Sequence, residues 1–186
     1  DHRDLHLSLR RQRQMCIRDR LVGKDNNSSG IEVEVFSVPG KIALFLEDKN
    51  KGNNFGTVPE DTIGLKIIDA KTKKYFFYIP GCADMTEDLK NRVKEAPMVL
   101  FDGTLWTDDE MLKAKVGVQK TGQRMGHMSM SGDDGSISAL RGLEVKRKIF
   151  IHINTTNPVL LEDSSERNFA REEGWEVSFD GMEVQL

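Results

Sequence analysis

The chain has 186 residues, 38% of them hydrophobic and 31% charged, enough apolar content for one core and too much for wholesale disorder. With 27 Lys+Arg against 30 Asp+Glu, net −3, it lacks the clustered basic charge that phosphate neutralisation needs. Its longest apolar runs, such as 42–46, fall far short of the roughly 18–20 residues of a membrane span. Two cysteines, Cys16 and Cys82, make neither a disulfide framework nor a CxxC knuckle, which is compatible with a reducing cytoplasm.

Residues 1–20 stand apart, with six Arg, three Asp and no apolar periodicity. A disordered basic arm is one reading. A transit peptide is a poorer one, because Asp1, Asp4 and Asp19 are acids that such segments avoid. Codon logic favours a third. Met15-Cys16-Ile17-Arg18-Asp19-Arg20 back-translates to the end of a common transposon-based sequencing adapter. Residues 10–14 continue that adapter, and residues 1–6 match the primer that precedes it. The expectation is a non-native, disordered 1–20 followed by a partial domain at 21–186. Without the first segment the balance is 21 basic against 27 acidic residues, net −6, and His127 and His152 are the remaining imidazoles.

Along the rest of the chain, 21–30 is polar and Gly/Ser/Asn-rich, a turn or frayed edge. Residues 31–36 alternate at period two, as a half-buried strand does. The stretch 48–61 gathers Asn, Gly, Lys and Pro and predicts a long loop, functional lid or disordered. Residues 63–68 and 75–79 predict a hairpin. Residues 86–96 have helical spacing, with Leu89 and Val93 four apart. The run 98–101 suits a strand buried on both faces. Acids at 108–110 mark a helix start, and 136–143 predicts another helix. Residues 146–154 form a further strand. A helix over 163–174 is capped by Asp163 or Ser164 and stopped by Gly174. Residues 175–184 alternate around Asp180-Gly181, predicting a hairpin. Strands mixed with helices give an α/β or α+β class.

Three polar residues stand at the ends of apolar elements: Asp102, His127 and His152. Strand ends in α/β layers converge on a ligand crevice, and one carboxylate with two imidazoles suits a divalent transition metal. Structural readings compete: an Asx turn at Asp102, a turn cap at His127, a core imidazole bonded to backbone at His152. The Met125, Met128 and Met130 cluster reads as core filling, and Cys82 as a buried inert thiol. The Asn/Thr cluster at 154–157 either forms a tight turn or orients His152.

Residues 101–111 (FDGTLWTDDEM), Met125-Gly126-His127-Met128 and 152–158 (HINTTNP) resemble the pyrroloquinoline quinone (PQQ) biosynthesis protein B family. Further matches are Val38-Pro39-Gly40-Lys41, residues 61–65, residues 164–167, and Gly174-Trp175-Glu176 leading to Phe179-Asp180-Gly181-Met182. They run in order across 31–186. The resemblance implies a metallo-β-lactamase-like αββα sandwich, of which this chain matches the C-terminal portion. The family's N-terminal Asp-His motif and cysteine-rich structural zinc site have no counterpart here, and Thr155 stands where the family commonly has Asn.

By that resemblance Asp102 and His152 are metal ligands and His127 is a catalytic residue or further ligand in the same crevice. The implied metal is Fe(II) first, with Zn(II) and Mn(II) compatible. The implied activity of the intact protein is oxygen-dependent hydroxylation of the tyrosine-derived ring of a cross-linked Glu–Tyr precursor, the fragment itself being inactive. Two alternatives stay open: a carrier of PQQ or its precursor for transport to the periplasm, and a metal-dependent hydrolase. The partners implied are the small-molecule precursor and other PQQ biosynthesis proteins, and a homodimer stays open.

Overall fold

A computed structural model describes residues 18–23, 27–52, 54–115 and 120–186. Seven strands form one sheet in chain order: β1 (Arg18–Val22), β2 (Ser28–Ser37), β3 (Ile63–Asp69), β4 (Tyr75–Ile79), β5 (Val99–Asp102), β6 (Lys148–Ile151) and β7 (Trp175–Val177). The first four pair antiparallel, and β4 through β7 pair parallel. Parallel neighbours need long crossovers, and helices supply them. These are α1 (Glu87–Val93), α2 (Glu110–Ala114), α3 (Gly122–Met125), α4 (Ser136–Leu140) and α5 (Ser165–Glu172).

Local chemistry sets the helix limits. Thr86 caps α1 by accepting from the Leu89 amide at 3.3 Å, and Ser164 caps α5 by accepting from the Arg167 amide at 3.0 Å. Leu89 and Val93 share one face of α1 and are buried, as their spacing predicts. Past α5 the chain turns through Gly174 at φ 77°, the left-handed stop expected there.

One face of the sheet carries the core. Phe36, Phe77, Ile79, Val99, Phe101, Phe150, Trp175 and Val177 pack there with Leu89, Val93, Ile137, Leu140 and Ala170 of the helices. Phe150 and Trp175 stack at 3.8 Å between ring centroids. Met128 and Met130 fill this core as expected, while Met125 is only half-buried.

Four expectations change. The disordered segment expected over 1–20 falls mostly outside the described residues, but Arg18–Arg20 pair with β2 as an edge strand. Leu21 and Val22 complete that strand, so the frayed edge predicted over 21–30 is largely two strand ends. In β2 the buried face is opposite to the one its apolar residues suggest: Glu32 is 5% exposed and Ile31 39%. Glu32 lies 3.5 Å from Arg20 and 3.6 Å from Lys73, and Arg92 bonds Glu34 at 2.6 Å, so cations cover the acids at this end. The hairpin predicted over 175–184 is absent. The Ser178 amide still reaches the Phe150 carbonyl at 3.0 Å, but beyond it no described strand lies alongside.

Candidate metal centre

The site forms where β5 and β6 run out at their carboxyl ends. Asp102 is the last residue of β5 and is fully buried. Gly103 follows, at a point where a Cβ would meet the Phe150 Cβ at 3.0 Å and the Ile151 carbonyl at 3.2 Å, so a side chain here would press on β6. His152 directly follows β6 with φ 55°, a left-handed conformation that costs a non-glycine residue energy and often marks functional positions. His127 follows α3 after Gly126, whose φ of 89° ends that helix.

Asp102, His127 and His152 converge, with their ligand atoms within 4.8 Å of one another. The imidazole rings stack at 5.2 Å between centroids and 22° between planes. Asp102 Oδ2 accepts from the Cys82 amide at 2.9 Å and faces His127 Nδ1 at 2.7 Å. Its Oδ1 accepts from the Thr104 amide at 3.1 Å and the Thr104 hydroxyl at 2.5 Å. The Thr104 oxygen also lies 2.8 Å from His152 Nδ1 and 3.1 Å from His127 Nδ1.

A carboxylate only accepts, so the Asp102 contact favours a proton on His127 Nδ1. The Thr104 hydroxyl lies within hydrogen-bond reach of Asp102 Oδ1, the His152 carbonyl and both Nδ1 atoms, so it ties the three residues together. That is how metal-ligating histidines are usually held, one nitrogen on a carboxylate or hydroxyl and the other on the ion. One carboxylate and two imidazoles so grouped are the donor set that suits a divalent transition ion.

The electrostatics follow from burial and these bonds. Burial pushes the Asp102 carboxyl up, but the neighbouring His127, His152 and Thr104 outweigh it and hold it below its ordinary value. The Asp102 carboxylate, 3.8 Å from Nδ1, raises His152 above its ordinary value, against a smaller opposing effect of desolvation. Burial pushes the Cys82 thiol up to about 12, so this cysteine is an inert thiol bonded to the Asp84 carbonyl.

The structure thus brings all three sequence-predicted residues together. His152 is an exposed residue at the site, not a core imidazole. Sequence reasoning missed Thr104, which touches all three, although it stands in the quoted FDGT run. It also missed Glu110, a buried carboxylate that accepts from the Trp106 amide at 2.7 Å and the Thr156 hydroxyl at 2.5 Å. The Asn/Thr cluster acts mainly as a brace. Asn157 Nδ2 donates to the Gly103 carbonyl at 3.0 Å and the Asn154 amide to the Thr104 carbonyl at 3.1 Å, locking the loops after β5 and β6 together. Between β2 and β3, residues 44–46, 49–51 and 59–61 form short 3₁₀ turns. Arg124 of α3 holds Glu47 through two bonds of 2.6 and 2.7 Å.

Comparison with known proteins identifies the family. A β-lactamase superfamily domain model matches residues 13–153. Coenzyme PQQ synthesis protein B of Gluconacetobacter diazotrophicus is 54% identical over 162 residues, 86% of this chain and 51% of that protein. The Xanthomonas axonopodis pv. citri protein of the same description is 53% identical over 157 residues, 84% of this chain and 51% of its own length. The crystal structure of Zn(2+)-bound PqqB from Methylobacterium extorquens aligns with TM-score 0.77 and 49% identity, covering 84% of this chain and 51% of that one. The chain therefore spans about half the length of the relatives it matches. On these similarities the chain belongs to the β-lactamase superfamily and, within it, to the coenzyme PQQ synthesis protein B family.

Proposed function

We propose that this chain supplies the Asp–His–His half of the reaction centre of a metal-dependent oxygenase that builds coenzyme PQQ, hydroxylating the tyrosine-derived ring of a cross-linked Glu–Tyr precursor. The observation that carries the reading is the paired arrangement of His127 and His152, each held through Nδ1 by the Asp102–Thr104 unit. Asp102 and His152 are the proposed ligands and Fe(II) the proposed ion. When bound, the metal supplies the redox chemistry that O₂ activation needs. His127 is the proposed proton-handling group: Asp102 holds its Nδ1 proton, keeping Nε2 able to accept a proton from the substrate phenol. Ring hydroxylation places one oxygen atom of O₂ in the product and releases the other as water, consuming two electrons and two protons from a reductant.

The test joins the first half of the G. diazotrophicus relative to residues 31–186, loads the chimera with Fe²⁺ and measures oxygen uptake with the precursor. Uptake should be precursor-dependent and should collapse in the His152→Ala variant. Full turnover in that variant overturns the ligand assignment. Stoichiometric binding of the precursor without oxygen uptake supports a carrier instead.

A further inference from the structure

His152 also forms part of the wall of a second feature, a cavity of about 560 Å³ between the end of β7, the start of α5 and the turn before it. That volume is in the range of small-molecule sites. Around it stand Glu162, Arg167, Ser178, Phe179 and Asp180, so charges of both signs share one cavity.

Those charges do not neutralise one another. Elsewhere, arginines near carboxylates close on them: Arg124 on Glu47 at 2.6 Å, Arg141 on Glu173 at 2.8 Å and Arg147 on Glu176 at 2.5 Å. Arg167 behaves differently. Its side chain donates to the Val159 carbonyl at 3.2 Å, and among the described residues no carboxylate comes within ion-pair distance of it. Most of a half-buried guanidinium fork, suited to a planar carboxylate, is thus left for a ligand. Glu162 and Asp180 are exposed in the same lining and bond no cation either.

Separated positive and negative groups across one cavity select by charge. A simple anion gains Arg167 but meets two carboxylates; a simple amine gains the carboxylates but meets Arg167. A zwitterion satisfies both. The exposed Phe179 ring offers an apolar surface for the remainder of such a ligand. We propose that this cavity receives the α-amino-acid end of the substrate, its carboxylate on Arg167 and its ammonium on Glu162 and Asp180, presenting the rest of the molecule to His152. The purpose of the subsite rests on the reaction proposed above; the binding itself does not.

The test measures binding of three probes to the metal-free 186-residue chain by calorimetry, with circular dichroism to check that each variant is folded. The probes are L-tyrosine, tyramine, which lacks the carboxylate, and 3-(4-hydroxyphenyl)propionate, which lacks the ammonium. L-Tyrosine should bind roughly tenfold more tightly than either, the scale of one charge-assisted hydrogen bond. Arg167→Gln should erase its advantage over tyramine. The Glu162→Gln, Asp180→Asn double variant should erase its advantage over the propionate, and Arg167→Lys, which keeps charge without the fork, should retain part of the first. Equal affinity for all three probes, no binding at millimolar concentration, or an Arg167→Gln change that weakens every probe alike overturns the proposal. Charge-selective binding alongside a chimera that takes up no oxygen keeps the subsite and removes the reaction; the converse removes the subsite alone.

Discussion

The two faces of the sheet are built from similar residues and end up in different states. On one, Phe77, Ile79, Val99, Phe101 and Phe150 lie under α1, α4 and α5 and are almost wholly buried. On the other, Val33, Val35, Leu65, Ile67, Phe76, Tyr78 and Leu100 pair across the same strands and all keep partial exposure, Ile149 being the exception. Strand pairing places side chains on a face, but only a second layer buries them. Asp102 belongs, by alternation, to the open face, so the candidate metal centre sits at the rim of that side. The covered face holds the strands in register, and the open face carries the chemistry.

That contrast is breakable, most forcefully at Phe101. Phe101→Ala should cost about 3–5 kcal/mol by urea denaturation, the usual loss for a fully buried aromatic. A cost near 1 kcal/mol would erase the distinction between the faces. The next effect belongs to the rim. His152→Ala should weaken Zn²⁺ binding to the chain by roughly 10–100-fold, and Thr104→Val, which removes the hydroxyl but keeps the shape, by an amount toward the lower end of that range. Titration calorimetry reads both. Unchanged affinity in the Thr104 variant would mean that the hydroxyl does not orient the imidazoles.

Much of this was legible in the sequence, and the failures have causes. Alternation at 31–36 and the apolar run at 98–101 marked β2 and β5, because strand periodicity is local. Which side of β2 is buried was not legible, since it depends on Arg20, Lys73 and Arg92 arriving from other elements to cover Glu32 and Glu34. The same holds at the other end of the sheet: residues beyond Ser178 alternate like a strand, but no described strand lies alongside them. Asp102, His127 and His152 were found because rare side chains stood at element ends. Thr104 was passed over because a threonine after Asp-Gly is ordinary, and its role appears only when three loops meet around its oxygen. The left-handed turn at His152 leaves no mark in composition.

A third measurement concerns the open face itself. Leu65→Ala in this chain should cost only about 1 kcal/mol, because a side chain that stays partly in water loses less transfer energy. In the chimera carrying the first half of a relative, the same change should cost more if the added half covers this face. Equal costs in both would mean that the face stays open in the longer protein.

The smallest expected effect tests the polar edge of the open face, where Glu176 of β7 bonds Arg147 through contacts of 2.5 and 2.8 Å. The Arg147 bond holds the Glu176 carboxyl below its ordinary value of 4.5, outweighing the opposing pull of desolvation. A carboxyl lowered in the folded state stabilises the fold above its ordinary value, and that stability is lost as pH falls through the folded value. The urea midpoint of the natural chain should therefore exceed that of Glu176→Gln by a small margin at pH 7, since a partly exposed pair is worth little. The margin should shrink as pH drops below 4.5 and vanish once Glu176 is protonated in both states. A margin that persists unchanged at low pH would assign the effect to side-chain packing rather than to charge.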